Sequence, residues 1–265
     1  PSEIVDRFAV FGNPIAHSLS PLLHNYAIKF LALDAYYGRV LLQHGEELRA
    51  KFETLRLAGA NITVPFKLDA LKACDVLSEA AKQIGSVNTL VLKGSALHGF
   101  NTDAQGFFCA ILGFGEIRNA LILGAGGTTR AIGYALGENG VKFDILNRSA
   151  KDFDFGCEEF FTYENFRSKD YDLIVNATGA GLKDDALPAP EGVIDEILSR
   201  AKFAFDAIYG KQTPFLQAAH AKNLPAKDGK EMLINQGALA FNLFFGGKFD
   251  LQEIIKLMSH AANLR

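Results

Sequence analysis

Apolar positions along the chain fall into short unbroken runs that alternate with segments of helical spacing. Phe8-Ala-Val-Phe-Gly12 is a continuous apolar run closed by glycine, which predicts a buried strand. Behind it Leu22, Leu23, Tyr26, Phe30 and Leu31 recur at helical spacing, and Ser20 with Pro21 supplies an N-cap and first-turn pair. Ala35 to Leu42 reads as a strand, and Glu46 to Leu57 as an amphipathic helix that Gly59 stops. Asn61 to Val64 reads as a short strand, with Pro65 opening the next helix. Val87 to Leu92 and Ala96 to Phe100 flank Lys93-Gly94-Ser95 and predict a hairpin.

A second series follows from about Asp103. Ala120 to Leu123, Lys142 to Leu146, Leu173 to Asn176 and Phe203 to Ile208 read as strands, separated by helices or loops. Two helices close the chain, roughly Gly229 to Phe245 and Leu251 to Asn263. Strands alternating with helices predict an α/β protein with parallel sheet covered on both faces.

A length of 265 residues allows about two domains. The chain is 49% hydrophobic and 22% charged with a net charge of −3, which excludes a disordered chain. No basic excess or basic run points to nucleic acid. Cys74, Cys109 and Cys157 are sparse and widely spaced, which fits a reducing compartment. The six histidines include no HExxH pattern, so no metal site can be read. The longest apolar stretch, Gly237 to Gly247, is interrupted by Asn242 and is shorter than the ~20 residues of a membrane helix. The N-terminus carries no signal-peptide pattern. A cytoplasmic protein is expected.

Chemistry enters with Gly124-Ala125-Gly126-Gly127-Thr128-Thr129, which follows an apolar strand and opens a helix. Such a turn suits a dinucleotide pyrophosphate, because glycines admit close backbone approach and a helix N-terminus favours negative charge. The same glycines also suit a plain strand-to-helix turn. An NAD-binding unit has an acidic residue ~20 residues further on, facing the ribose 2′-hydroxyl. Asn147-Arg148-Ser149 stands there instead. Arg148 can pair with a 2′-phosphate, Ser149 adds a donor and Lys151 a second charge, which points to NADP(H).

In the first series, Ser18 and Ser20 follow the first strand and offer two hydroxyls suited to a carboxylate. Asn61 and Thr63 are two apart on a strand and share a face. Lys67 falls in a first helical turn, where a cation is electrostatically disfavoured. Such broken local rules concentrate at functional sites. Asn88 begins the hairpin strand, and Asn101-Thr102-Asp103 ends it, with Asn101 or Thr102 as a helix cap.

Taken in order, Phe11-Gly-Asn-Pro-Ile-Ala-His-Ser-Leu-Ser-Pro21, Gly59-Ala-Asn-Ile-Thr-Val-Pro-Phe-Lys67, Gly85-Ser-Val-Asn-Thr-Leu90, Gly99-Phe-Asn-Thr-Asp103, the glycine turn through Arg130, Asn147-Arg148, Asn176-Ala-Thr178 and Asp228-Gly229 through Met232-Leu233 to Gln236 resemble the shikimate dehydrogenase family. The segments span nearly the whole chain. The resemblance implies a substrate-binding α/β domain, residues 1–102 and 239–265, and a Rossmann-like NADP-binding domain, residues 103–238, with catalysis in the cleft between them. It implies Ser18 and Ser20 as carboxylate ligands, and Asn61, Thr63, Asn88 and Gln236 as ring ligands. Lys67 and Asp103 are then the catalytic pair, with Tyr209 on the substrate side. Thr178, Gly229 and Met232 join the cofactor set. The implied reaction is reversible reduction of 3-dehydroshikimate to shikimate in aromatic amino-acid biosynthesis, by a monomer or homodimer without a metal.

Departures from the family pattern are modest. Thr128-Thr129 stands where Ala-Ser is common, Gly179-Ala180 where Ser or Pro is usual, and Gly210-Lys-Gln where Asn-Pro is commoner. A quinate/shikimate dehydrogenase of the same fold is the competing reading. The absent acid at Asn147-Arg148 and the Ser18-x-Ser20 pair argue for shikimate and NADP. A non-catalytic NADP-binding sensor is the other alternative, and the intact Ser18, Ser20, Lys67 and Asp103 argue against it.

Overall fold

The structure, a computed structural model, describes residues 5–152 and 156–264. The chain divides into two compact units, residues 1–102 with 234–265, and 103–233.

The first unit contains β1 (Asp6–Gly12), α1 (Ser20–Phe30), β2 (Ala35–Leu41), α2 (Leu48–Thr54), β3 (Gly59–Ile62), α3 (Lys67–Ala73), β4 (Val76–Leu77), α4 (Glu79–Ile84), β5 (Thr89–Lys93) and β6 (Ala96–Phe100). Its sheet has the order β2-β1-β3-β5-β6-β4. β1 pairs in parallel with β2 and β3, and the β5–β6 hairpin is antiparallel. The chain leaves β1 toward β2, then returns to β3 on its other side. That reversal opens a crevice beyond the carboxyl end of β1, where open α/β sheets bind ligands. Phe11, Phe52, Ile62, Leu90 and Leu97 form a core on one side of this sheet.

The second unit contains α5 (Asp103–Ile111), β7 (Asn119–Leu123), α6 (Gly127–Glu138), β8 (Lys142–Asn147), β9 (Phe160–Thr162), β10 (Leu173–Asn176), α7 (Glu191–Arg200), β11 (Phe203–Asp206), α8 (Pro214–Ala221) and β12 (Ala226–Lys227). Its sheet order is β12-β11-β10-β7-β8-β9, and every pairing is parallel. Numbered from its own first strand this is 6-5-4-1-2-3, the doubly wound dinucleotide-binding order read from the other edge. Its reversal lies at β7, directly before the glycine turn.

Two helices complete the chain, α9 (Lys230–Phe244) and α10 (Leu251–Ala262). The division between units falls at Leu233/Ile234, inside α9, and not at the expected 238/239. A boundary within one continuous helix leaves no loop or composition change to mark it.

Local differences have physical causes. Ser20 is the first residue of α1 and Leu19 holds the cap position, with no side-chain cap bond. Ser20 is therefore not the helix N-cap. The helix before β3 ends at Thr54, and Arg56, at φ 51°, takes the left-handed turn expected of Gly59, which instead begins β3. Residues 45–47 form a separate 3-10 turn ahead of α2. β3 stops at Ile62, and α3 opens at Lys67 rather than at Pro65. The short helix α4, capped by Ser78 with Gly85 left-handed behind it, carried too little periodicity to be read.

His24 on α1 is buried, with Nδ1 lacking any hydrogen-bond partner among the described residues. Its ring stacks on Tyr37, with centroids 4.2 Å apart. Burial lowers its pKa from 6.5 to about 3. The unfolded chain therefore takes up a proton that the folded chain refuses as pH falls from 6.5 toward 3, and stability declines across that window. By pH 5 this group alone removes about 2 kcal/mol. Substituting His24→Phe keeps an aromatic stack and removes the titration. The stability difference between pH 7 and pH 5 in urea unfolding is expected to shrink by about that amount. An unchanged difference refutes this account.

Candidate active site

Buried polar side chains of the first unit gather around the carboxyl ends of β1 and β3, most of them hydrogen-bonded to one another. Ser18 and Ser20 are both buried. Ser18 Oγ accepts from the Ser20 backbone N–H at 3.3 Å. Tyr37 is buried too, and burial pushes its phenol well above its ordinary pKa, with the Ser20 side chain acting in the opposite direction. Tyr37 donates to Asn61 Oδ1 at 2.7 Å, which turns the Asn61 amide nitrogen toward Thr89 Oγ1 at 3.1 Å and the Asn88 carbonyl at 3.4 Å.

Asn88 extends the set. Its Nδ2 donates to Thr102 Oγ1 at 2.9 Å and Gln236 Oε1 at 3.3 Å. Its Oδ1 accepts from the Thr102 N–H at 2.8 Å and Thr89 Oγ1 at 2.9 Å. The Asn88 amide thus has internal partners on both its nitrogen and its oxygen, and ties the hairpin to α9. It lies one residue before β5 rather than on it. Gln236 belongs to the first unit with the rest of the set.

Thr63 and Lys67 follow the end of β3. The Thr63 N–H bonds the Phe11 carbonyl at 2.9 Å, which holds the segment against the end of β1. Lys67 is the first residue of α3 and half-buried, and its carbonyl accepts from the Val87 N–H at 3.0 Å. Tyr37 and Arg39 escaped the sequence reading. They are two apart on β2 and so share a face, a signal that alternation could have supplied. Arg39 Nη2 donates to the Ser18 carbonyl at 2.7 Å.

In the second unit the glycine turn has the shape a dinucleotide requires. Gly124 has φ 104°, and a Cβ there would lie 2.9 Å from Thr178 Cγ2. A Cβ on Gly126 would meet nothing, so the turn leaves open space over its backbone. α6 then begins at Gly127, with no acidic residue in its first turn to repel a phosphate. Thr129 is buried, and its hydroxyl donates to the Gly124 carbonyl at 3.0 Å. It shapes the turn from inside, whereas Thr128 beside it is half-buried. Lys151 Nζ reaches the Ala125 carbonyl at 3.3 Å.

The neighbouring strand β8 ends at Asn147, whose Nδ2 donates to the Ser149 carbonyl at 2.8 Å. Arg148 and Ser149 are exposed. These residues fit a dinucleotide with a 2′-phosphate: open backbone at the pyrophosphate position, a helix N-terminus, and exposed cations where an acid would otherwise stand.

A buried network supports the loops after β10 and β11. Asp206 accepts from Thr213 Oγ1 at 2.6 Å, the Ile208 N–H at 2.9 Å and Asn176 Nδ2 at 3.1 Å. Asn176 Oδ1 in turn accepts from the Thr178 hydroxyl at 2.7 Å. Tyr209 follows at the half-buried edge of this network. Gly229 donates to the Ile208 carbonyl at 3.0 Å, and a Cβ there would collide with the Ala207 carbonyl. Its glycine is thus explained by backbone packing. Met232 is buried in α9, and Asp103 is the buried first residue of α5.

Residues 10–90 match the shikimate dehydrogenase substrate binding domain. The NADP(+) shikimate dehydrogenase of Helicobacter hepaticus is 46% identical over 262 residues, covering 95% of this chain and 97% of that protein. The crystal structure of shikimate 5-dehydrogenase from Thermus thermophilus, in complex with NADP(H) and shikimate, superimposes with a TM-score of 0.82 at 36% identity, over 97% of this chain and 99% of that one. Shikimate dehydrogenase 1 of Peptoclostridium difficile gives a TM-score of 0.86 at 25% identity, over 96% and 97% of the two chains. With both units, the strand orders and the ordered motifs accounted for along nearly its whole length, the chain belongs to the shikimate dehydrogenase family.

Proposed function

We propose that the protein catalyses the reversible, NADPH-dependent reduction of 3-dehydroshikimate to shikimate in aromatic amino-acid biosynthesis. The observation that carries this reading is the buried polar set Ser18, Ser20, Tyr37, Asn61, Asn88 and Gln236 in the first unit. It offers neutral donors and acceptors to a small polyhydroxylated acid, with Lys67 opening the helix just beyond.

In this reading Ser18 and Ser20 bind the carboxylate, and Asn61, Thr63, Asn88 and Gln236 orient the ring hydroxyls, with Tyr209 a substrate-side residue. NADPH, when bound, supplies the hydride that adds to the ring carbonyl carbon. The Lys67 ammonium stabilises the charge developing on the carbonyl oxygen and donates the proton that completes the hydroxyl. Asp103 accepts from the lysine or a substrate hydroxyl and keeps both in place. Gly124 to Thr129, Thr178, Gly229 and Met232 cradle the cofactor, and Asn147, Arg148, Ser149 and Lys151 hold its 2′-phosphate end. The reading carries with it a cytoplasmic location, a monomer or homodimer, and no nucleic-acid partner. No helix among the described residues is long and apolar enough to cross a membrane.

The test is NADP+ reduction followed by absorbance with shikimate and quinate side by side, each repeated with NAD+. Turnover fastest with shikimate and NADP+ is expected. Tight NADPH binding without turnover on either acid overturns the proposal in favour of a sensor, and equal rates with quinate overturn the substrate assignment. Ser18→Ala is expected to raise the shikimate KM with kcat nearly unchanged, because the carboxylate is remote from the reacting carbon and is held alike in ground and transition states. A large fall in kcat at constant KM moves Ser18 into the chemistry.

A further inference from the structure

The side chains assigned to the substrate carboxylate are both neutral, yet the carboxylate carries a full negative charge. Behind them stands a cation that the reaction scheme does not use. Arg39, on β2, donates from Nη2 to the carbonyl oxygen of Ser18 at 2.7 Å. Ser18 precedes the cap residue of α1, so its carbonyl lies outside the helical ladder. The same residue is held from its other side by its N–H, which donates to the Ile15 carbonyl at 3.1 Å. Ser18 Oγ accepts from the Ser20 N–H at 3.3 Å. A hydroxyl that accepts this way still has its one proton to give outward. Among the described residues, no carboxylate forms an ion pair with Arg39.

We propose that Arg39 is a positioning residue for carboxylate recognition: its guanidinium fixes the Ser18 carbonyl, and with it the loop that presents both hydroxyls, while its unneutralised charge favours the bound anion. The inference rests on the assignment of Ser18 and Ser20 to the carboxylate. Both parts act on ground and transition states alike, so the effect falls on KM rather than kcat. The charge part also depends on salt, since screening shortens the reach of an exposed cation to about 10 Å at 0.1 M ionic strength.

The experiment compares Arg39→Ala, Arg39→Gln, Arg39→Lys and Ser18→Ala in the full chain, with shikimate KM and kcat measured across a salt series and folding checked by circular dichroism. Arg39→Ala is expected to raise the shikimate KM roughly tenfold, as for loss of a charge-assisted hydrogen bond, with kcat and the NADP+ KM within about twofold. Arg39→Lys recovers most of the loss, because an ammonium supplies both a donor and a charge. Arg39→Gln keeps a donor without charge, so it recovers part of the KM but none of the salt dependence. In wild type and Arg39→Lys the KM rises with salt, and in Arg39→Ala and Arg39→Gln it is flat. An unchanged KM in folded Arg39→Ala, or the same salt slope in all variants, overturns the proposal. Should Ser18→Ala raise KM while Arg39→Ala does not, only Arg39 is removed. Should Ser18→Ala leave KM unchanged, the carboxylate assignment itself falls.

Discussion

Replacing Lys67 with methionine is expected to lower kcat by about 10²–10⁴-fold, the usual contribution of a general acid–base group, with shikimate affinity changed little. The argument begins with where the residue stands. Lys67 is the first residue of α3, a position where the unpaired backbone N–H groups make a cation unfavourable by roughly 0.3–1 kcal/mol. Asp69 in the same first turn is the residue type that position favours. A lysine kept there at a local cost, shortly after the strand that carries Asn61, is consistent with the proposed role of its ammonium at a bound carbonyl. Methionine preserves the aliphatic stem and removes only the charge and the proton. Packing is therefore nearly conserved, and the loss reports on chemistry. Asp103→Ala is expected to lose less or as much. Because groups that act as a unit are not additive, the double variant should be little worse than the poorer single one. Rates are read from NADPH absorbance, with circular dichroism for folding. A folded Lys67→Met enzyme with near-normal kcat removes Lys67 from the mechanism.

How far the chain could be read depended on whether a feature was local. The glycine turn was readable because strand, glycines and helix are consecutive, and Gly124 does adopt the left-handed backbone such a turn needs. The parallel strands of the second unit were readable from their apolar runs, and their order follows from short right-handed crossovers. Caps were harder. Ser20 and Gly59 have the residue types of a helix start and stop, yet Leu19 and Arg56 occupy those places, because packing against the sheet overrides preferences worth about 1 kcal/mol. Alternation could place Tyr37 and Arg39 on one face of β2, but could not show what they reach. Each reaches a residue distant in sequence, Asn61 and Ser18, and only the pairing of β2 beside β1 brings them there. The same holds for Asn88, whose partners Thr102 and Gln236 lie on other elements.

Removing the guanidinium of Arg148 is expected to raise the KM for NADPH about ten- to hundredfold while NADH is nearly unaffected, since a lost charge-assisted contact costs on the order of 1.5–3 kcal/mol. The two cofactors differ only at the ribose 2′ position, so a residue that discriminates them must act there. β8 pairs directly with β7, in register from Asn119–Lys142 to Leu123–Leu146, so its carboxyl end lies beside the glycine turn. The residue that would carry an acid in an NAD-binding unit is Asn147, which instead braces the following turn through Ser149. Arg148 is exposed next to it, and Lys151 folds back onto the Ala125 carbonyl. A 2′-phosphate here meets two cations, Arg148 and Lys151. Exposure sets the scale: a solvated arginine is screened, so the effect belongs nearer tenfold in high salt and nearer a hundredfold in low salt. The second cation softens the loss further, and Lys151→Ala alone should cost less than Arg148→Ala, because Lys cannot grip phosphate bidentately. The measurement is kcat/KM for NADPH and NADH in wild type and both variants, at two ionic strengths. A wild type that uses NADH as readily as NADPH, or an Arg148→Ala enzyme that loses both cofactors equally, removes the 2′-phosphate from this corner of the second unit.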